Sequence, residues 1–177
     1  MNRKKMKEAL LPHPVRFEKL EMVGGNYIGD PTLLTLPWKR VGVFASRSTD
    51  PAMGILREQW AMSKGRKRCC IIGTFHSPGE CEILYHVLKF GGSAVWLMGC
   101  ALPAELPNFC KGAIRKGRLL MVSCFNREHH SYATARYCAQ LADRYSSSLA
   151  IWSMKEGGLV QSIYNRAKNN GKRVEVF

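Results

Sequence analysis

Acidic residues are scarce in this chain. It carries 13 Asp and Glu against 27 Lys and Arg in 177 residues, a formal net charge of +14. So large an excess costs self-repulsion, which favours a polyanion partner over a basic surface that only maintains solubility. Long apolar runs are missing too. No 18-residue apolar span occurs, and no apolar signal run follows the basic N-terminus, so a soluble cytoplasmic chain without membrane partners is expected. The seven Cys form no C-x-x-C, and no Cys/His spacing suits zinc. Their odd number and apolar flanks fit reduced, buried thiols. His129-His130 has no Cys, Asp or His at ligand spacing, so no metal is expected. A G-x-G-x-x-G fingerprint is lacking, which argues against a NAD enzyme. No paired carboxylates or nucleophile–base arrangement can be read at strand ends. The expectation is a binding protein with no catalytic residue and no cofactor.

What is present is alternation. Val41–Ala45, Arg68–Gly73, Ala94–Met98, Leu119–Ser123, Ser148–Trp152 and Arg173–Phe177 read as short apolar strands. Between them lie helical stretches at Asp50–Lys64, Gly79–Phe90, Pro107–Lys116, Ser131–Tyr145 and Gly158–Asn169. Asp50-Pro51 supplies a cap and a first-turn proline, and Gly91-Gly92 and Asn170-Gly171 supply stops. This pattern predicts an α/β fold: a doubly wound, mainly parallel, Rossmann-like sheet of about six strands with helices on both faces. Residues 1–38 read as a basic arm with one short helix and an irregular Gly/Pro-rich lead-in. Residues 39–177 read as the Rossmann-like domain.

In such a fold ligands bind at the carboxyl ends of the strands, near the switch in strand order. The turns there supply the candidates. Strand one ends in Ser46 and Arg47 before a helix, a geometry suited to phosphate. An ordinary turn with a solvated Arg47 is the competing reading. Gly73, Thr74, His76 and Ser77 follow strand two, where a lone His also suits a structural role. Glu80 reads as a helix cap more than a ribose contact. Gly99 and Cys100 end strand three, where packing explains small residues equally well. Asn126 and Arg127 follow strand four, and Arg136 lies inside the next helix. Lys155, Gly157, Gly158 and Gln161 form the last loop, suited to phosphate or simply to a tight turn. Tyr132 and Trp152 are candidate stacking surfaces, although aromatics at strand ends more often pack in the core. Basic clusters at Lys64–Arg68, Lys111–Arg118 and Arg166–Arg173 fall where helices end and strands begin. There they would complement helix dipoles on the face away from the crevice.

Read in order, these turns resemble the DNA-processing protein A (DprA, also Smf) family, within a wider group that includes the LOG-type nucleotide hydrolases. Gly29-Asp-Pro-Thr-Leu-Leu34 and Val41–Arg47 are similar to the family's lead-in and Gly-Ser-Arg strand, with Ala45 in place of the Gly. Gly91-Gly-Ser-Ala-Val-Trp-Leu-Met-Gly-Cys-Ala-Leu102 is similar to its Gly-Gly-x-x-x-x-x-x-Gly-x-Gly-Leu. Ile71–Thr74 and Gly79-Glu80 stand where the family has an Arg and an Asp that are missing here. Thr134-Ala-Arg136 keeps only the last Arg of an Arg-Asn-Arg helix. Gly157-Gly-Leu159 resembles a Gly-Ser-Leu loop. The resemblance spans residues 24–177, and the family's C-terminal winged helix is expected to be absent. It implies single-stranded DNA binding at the strand ends, homodimerisation, and loading of a RecA-type recombinase in recombination or DNA uptake. Two alternatives stay open: a module for a nucleotide or nucleotide-derived ligand, and a LOG-type hydrolase. Against the latter, Glu156-Gly-Gly-Leu-Val-Gln161 lacks that group's Gly-Thr and Glu.

Overall fold

A computed structural model describes residues 13–14, 26–48 and 50–177. The cluster Arg3, Lys4, Lys5 and Lys7, and the short helix expected in the arm, lie outside the described residues. Among the described residues, fifteen elements follow in chain order: β1 (His13–Pro14), β2 (Asn26–Gly29), α1 (Thr32–Thr35), β3 (Arg40–Ala45), a 3-10 turn (Pro51–Met53), α2 (Gly54–Arg66), β4 (Cys70–Gly73), α3 (Pro78–Lys89), β5 (Ser93–Met98), α4 (Asn108–Arg115), β6 (Leu119–Ser123), α5 (Tyr132–Arg144), β7 (Ser148–Ser153), α6 (Leu159–Asn169) and β8 (Arg173–Val176). The strands join one eight-stranded sheet in the order β1-β2-β6-β5-β4-β3-β7-β8.

The six expected strands are present and parallel to one another, β3 to β8. The sheet is larger than six because the lead-in is not wholly irregular: β2 pairs antiparallel with β6, and β1 with β2. Gly29 permits that pairing. Its φ is +107°, and a Cβ there would sit 2.0 Å from the Leu119 carbonyl oxygen. Gly29→Ala is therefore expected to lower stability by about 3 kcal/mol through left-handed strain and backbone collision. A lower urea midpoint at unchanged slope would show it.

Alternation along the strands sorts the core into two clusters. Phe44, Ile72, Val95, Leu97, Leu120, Val122, Leu149 and Ile151 pack with Leu33 and Leu34 of α1, Cys138 and Leu141 of α5 and Ile163 of α6. Val43, Ala45, Ile71, Ala94, Met98, Leu119, Met121 and Trp152 pack with Ala61 of α2, Ile83 and Val87 of α3 and Ile114 of α4. Successive strand side chains point to opposite faces, so runs such as Val43-Phe44-Ala45 feed both clusters. Trp152, a candidate stacking surface, belongs to the core instead. It stacks on Phe177 with ring centroids 4.0 Å apart and meets Trp60 edge-on at 5.6 Å. Of the seven thiols, Cys70, Cys110, Cys124 and Cys138 are buried, and burial pushes Cys70 and Cys110 up to about 12.

The strand starts carry cations engaged with the protein itself. Buried Arg40 donates to the carbonyls of Leu33 (2.7 Å), Leu34 (2.9 Å) and Leu36 (2.6 Å). Arg118 donates to the carbonyls of Leu88 and Gly92, which close α3. Asp143, buried at the end of α5, holds Arg166 at 2.7 Å and Lys172 at 2.8 Å. Arg118, Arg166 and Lys172 donate to carbonyls at the ends of α3 and α5, the role that their cluster positions suggest, whereas Lys64–Arg68 make no such side-chain hydrogen bond among the described residues.

Candidate functional site

From β3 the chain steps outward through β4, β5 and β6, then crosses back to place β7 on the other side of β3. The switch in strand order therefore lies between β3 and β7. A crevice at the carboxyl ends of these two strands is where an open α/β sheet presents a ligand site.

Reciprocal hydrogen bonds build the switch point. Ser46 N–H donates to the Ser153 carbonyl (3.1 Å), and the Ser153 hydroxyl donates to the Ser46 carbonyl (3.3 Å). The Ser46 hydroxyl donates to the Ser153 carbonyl at 3.3 Å and accepts from Lys155 N–H at 3.0 Å. Both donors of Ser46 are thus engaged within the protein, so Ser46 ties the two loops together. Arg47 is exposed and has no ion-pair or hydrogen-bond partner among the described residues. Lys155 is exposed as well, with its ammonium unengaged among them.

Glu80 joins β3 to the next turn. The residue is only 4% exposed. Its carboxylate accepts from Ala45 N–H (2.9 Å), His76 N–H (2.9 Å), Ser77 N–H (3.4 Å) and the Thr74 hydroxyl (3.4 Å). Ser77 accepts from Glu80 N–H at 3.2 Å, which completes a capping box at the start of α3. The expectation of a cap is met, with one addition: the same carboxylate captures the last N–H of β3, where the β3–β7 register shifts. Loss of water outweighs the accepted hydrogen bonds and pushes the Glu80 carboxyl up to about 7.

The other candidates sort by what they touch. Gly73 underlies packing, because a Cβ there would lie 3.0 Å from the Val43 carbonyl. Thr74 is buried, and its carbonyl accepts from Trp96 Nε1 at 2.8 Å. Gly99 lets α5 approach; a Cβ would meet the Thr134 hydroxyl at 2.9 Å. Cys100 is half-buried beside it. Gly157 turns the last loop at φ +68° and donates its N–H to Gln161 at 2.7 Å, while Gly158 N–H donates to the Lys155 carbonyl. These two glycines serve the turn, yet α6 begins with no side-chain cap, unlike α3 and α5. Asn126 and Arg127 are exposed on the β6–α5 loop, and the Arg127 carbonyl accepts from Ala101 N–H, which ties that loop to the β5 end. Tyr132 is 70% exposed in the first turn of α5. Arg136 lies one turn further on and has no ion-pair partner among the described residues.

One contact could not be read from the sequence. His76 stacks on His130, with ring centroids 4.2 Å apart and planes tilted by 38°. Burial pushes His76 below the usual imidazole range, and the charges of His130 and Arg47 lower it further. The β3, β4 and β6 loops therefore converge through Arg47, His76 and His130. The His129-His130 dipeptide is plain in the sequence, but nothing local indicates its partner.

The fold defines a Rossmann-like α/β protein with exposed cations at its switch in strand order. No protein-family model and no curated protein matches the chain. Its fold is that of DNA processing protein A. The Helicobacter pylori protein, described for its single-stranded DNA binding mode, superposes with TM-score 0.73 at 15% identity, over 94% of this chain and 80% of that one. DNA processing protein A from Streptococcus pneumoniae superposes with TM-score 0.72 at 14% identity, over 99% and 66%. The molybdenum cofactor carrier protein of Chlamydomonas reinhardtii shares the fold more loosely, with TM-score 0.53 at 10% identity, over 79% and 76%.

Proposed function

We propose that the protein binds single-stranded DNA by its phosphate backbone across the carboxyl ends of the strands, as a DprA-like processing protein without a catalytic step. The observation that carries this reading is the gathering of exposed cations, unpaired among the described residues, from separate loops at the switch in strand order. At the strand starts, Arg40, Arg118, Arg166 and Lys172 are engaged by carbonyls and Asp143. At the strand ends, Arg47, Arg127, Arg136 and Lys155 project without ion-pair partners among the described residues. Unengaged cations beside an uncapped helix start attract phosphate, and exposed Tyr132 offers a face for base stacking. Residues 39–177 form the binding unit in this reading, and β2 of the lead-in completes its sheet.

Anisotropy of a fluorescent dT oligonucleotide at two salt concentrations, with AMP as competitor, tests the reading. Affinity is expected to fall steeply with salt, with a log–log slope of about −0.7 per phosphate contacted, and AMP to compete weakly. Salt-insensitive binding, or none, would overturn it. Displacement by micromolar AMP would favour the second reading, a compact nucleotide or nucleotide-derived ligand. The looser likeness to a cofactor carrier supports that alternative, as do the missing Arg and Asp of the DprA pattern. Release of base from AMP would move it to LOG-type hydrolysis. A cytoplasmic homodimer acting with a RecA-type recombinase completes the proposal. Sedimentation over a range of protein concentrations and strand exchange with and without the protein address these parts.

A further inference from the structure

The stacked His76 and His130 are not explained by packing alone. His76 Nε2 is buried with no hydrogen-bond partner. Arg47 adds its positive charge to the same spot. An unsatisfied imidazole nitrogen, a second imidazole in contact and a free guanidinium make a costly arrangement without an anion and a favourable one with it.

We propose that His76, His130 and Arg47 form a phosphate subsite whose occupancy is coupled to proton uptake by the two imidazoles. This rests on the polyanion reading above and adds its regulation. Neutral rings tolerate the stack. Protonated rings repel each other and Arg47 unless a phosphate oxygen accepts from them. A bound phosphate therefore raises the proton affinity of both rings, and by linkage protons raise the affinity for phosphate. The gain is complete below the imidazole pKa values of the free protein, and it is lost as pH rises through those of the complex.

The charged groups around the pair come from three segments. Arg47 lies on the β3 loop, Glu80 on α3 accepts His76 N–H, and Arg127, Glu128 and His129 precede His130 on its own loop. Glu80 is itself held near neutrality. A double His76→Gln, His130→Gln variant retains Glu80 and isolates its share of any pH dependence.

Ring C–H signals of the histidines are followed by NMR across pH 5 to 8.5, alone and with inorganic phosphate. Oligonucleotide affinity is then measured at pH 6 and pH 8. Phosphate is expected to raise the titration midpoints of His76 and His130 by about one unit each, and oligonucleotide affinity to rise about threefold to sixfold per imidazole from pH 8 to pH 6. His130→Gln, at an exposed position, is expected to remove its share. Oligonucleotide binding that ignores pH, with ring titrations unmoved by phosphate, would overturn the subsite while leaving the nucleic-acid reading intact. Ring titrations shifted by phosphate in a protein that binds no oligonucleotide would uphold the subsite and overturn the nucleic-acid reading.

Discussion

Replacing Glu80 with alanine is expected to lower the unfolding free energy by about 4 kcal/mol. The Ala45, His76 and Ser77 N–H groups all donate to its carboxylate. A buried donor left without an acceptor costs about 1–3 kcal/mol, and part of that is recovered where water reaches the half-buried His76. The loss is not only one of stability. Ala45 N–H anchors the end of β3, and the next two residues are Ser46 and Arg47. Glu80→Ala should therefore also loosen the switch point and weaken oligonucleotide binding in protein that is still folded. Denaturant titration and anisotropy on the same sample would show both; wild-type values in both would remove Glu80 from its place as organiser. The carboxyl also carries a pH signature. Its proton is held up to about 7 in the folded chain, against an ordinary 4.5. Its contribution is fully present below pH 4.5 and declines as pH rises through 7, by about 3 kcal/mol over the window. Glu80→Gln, which cannot titrate, should flatten that slope.

Arg47→Ala should weaken single-stranded DNA binding by tenfold to a hundredfold, and the Arg47→Ala, Lys155→Ala double variant by more. A charge-assisted hydrogen bond to phosphate contributes about 1.5–3 kcal/mol. Each phosphate that a variant no longer neutralises should also flatten the salt dependence by about 0.7. Both side chains are exposed, so their removal should leave the unfolding midpoint unchanged. Lys67→Ala is the control. It removes the same unit of charge where α2 ends, before β4, at the opposite end of the sheet. An equal drop in affinity from Lys67→Ala would mean that net charge, not the switch point, attracts the strand.

Much of this architecture is legible in the residues. Asp50-Pro51 and the glycine stops mark helix ends, and apolar stretches such as Ile71–Ile72 and Leu119–Val122 mark strands buried on both faces. These signals are local, so a linear reading finds them. The antiparallel β2 is hidden from such a reading, because Asn26–Gly29 is short, and its strand character comes from pairing with β6. The 3-10 turn at Pro51–Met53, ahead of α2, reads in the sequence as the first turn of one helix. Asp50 caps it through Ala52 N–H at 2.8 Å, a short-range geometry that the pattern alone does not separate from an α-helical start.

The sequence by itself determined the charge excess, the alternation of strands and helices, and the turns at which a ligand site would form. Each depends on residues within a few positions of one another, where backbone preference and periodicity act. Only the tertiary structure decided which turns meet. The jump from β6 across to β7 brings Lys155 beside Ser46, and the convergence of three loops stacks His130 on His76. It also decided which polar groups are engaged inside the protein, as with Ser46, Thr74 and Arg40, and which are left exposed without a partner among the described residues, as with Arg47. Those outcomes depend on contacts between segments far apart in the chain, and no local pattern encodes the partner.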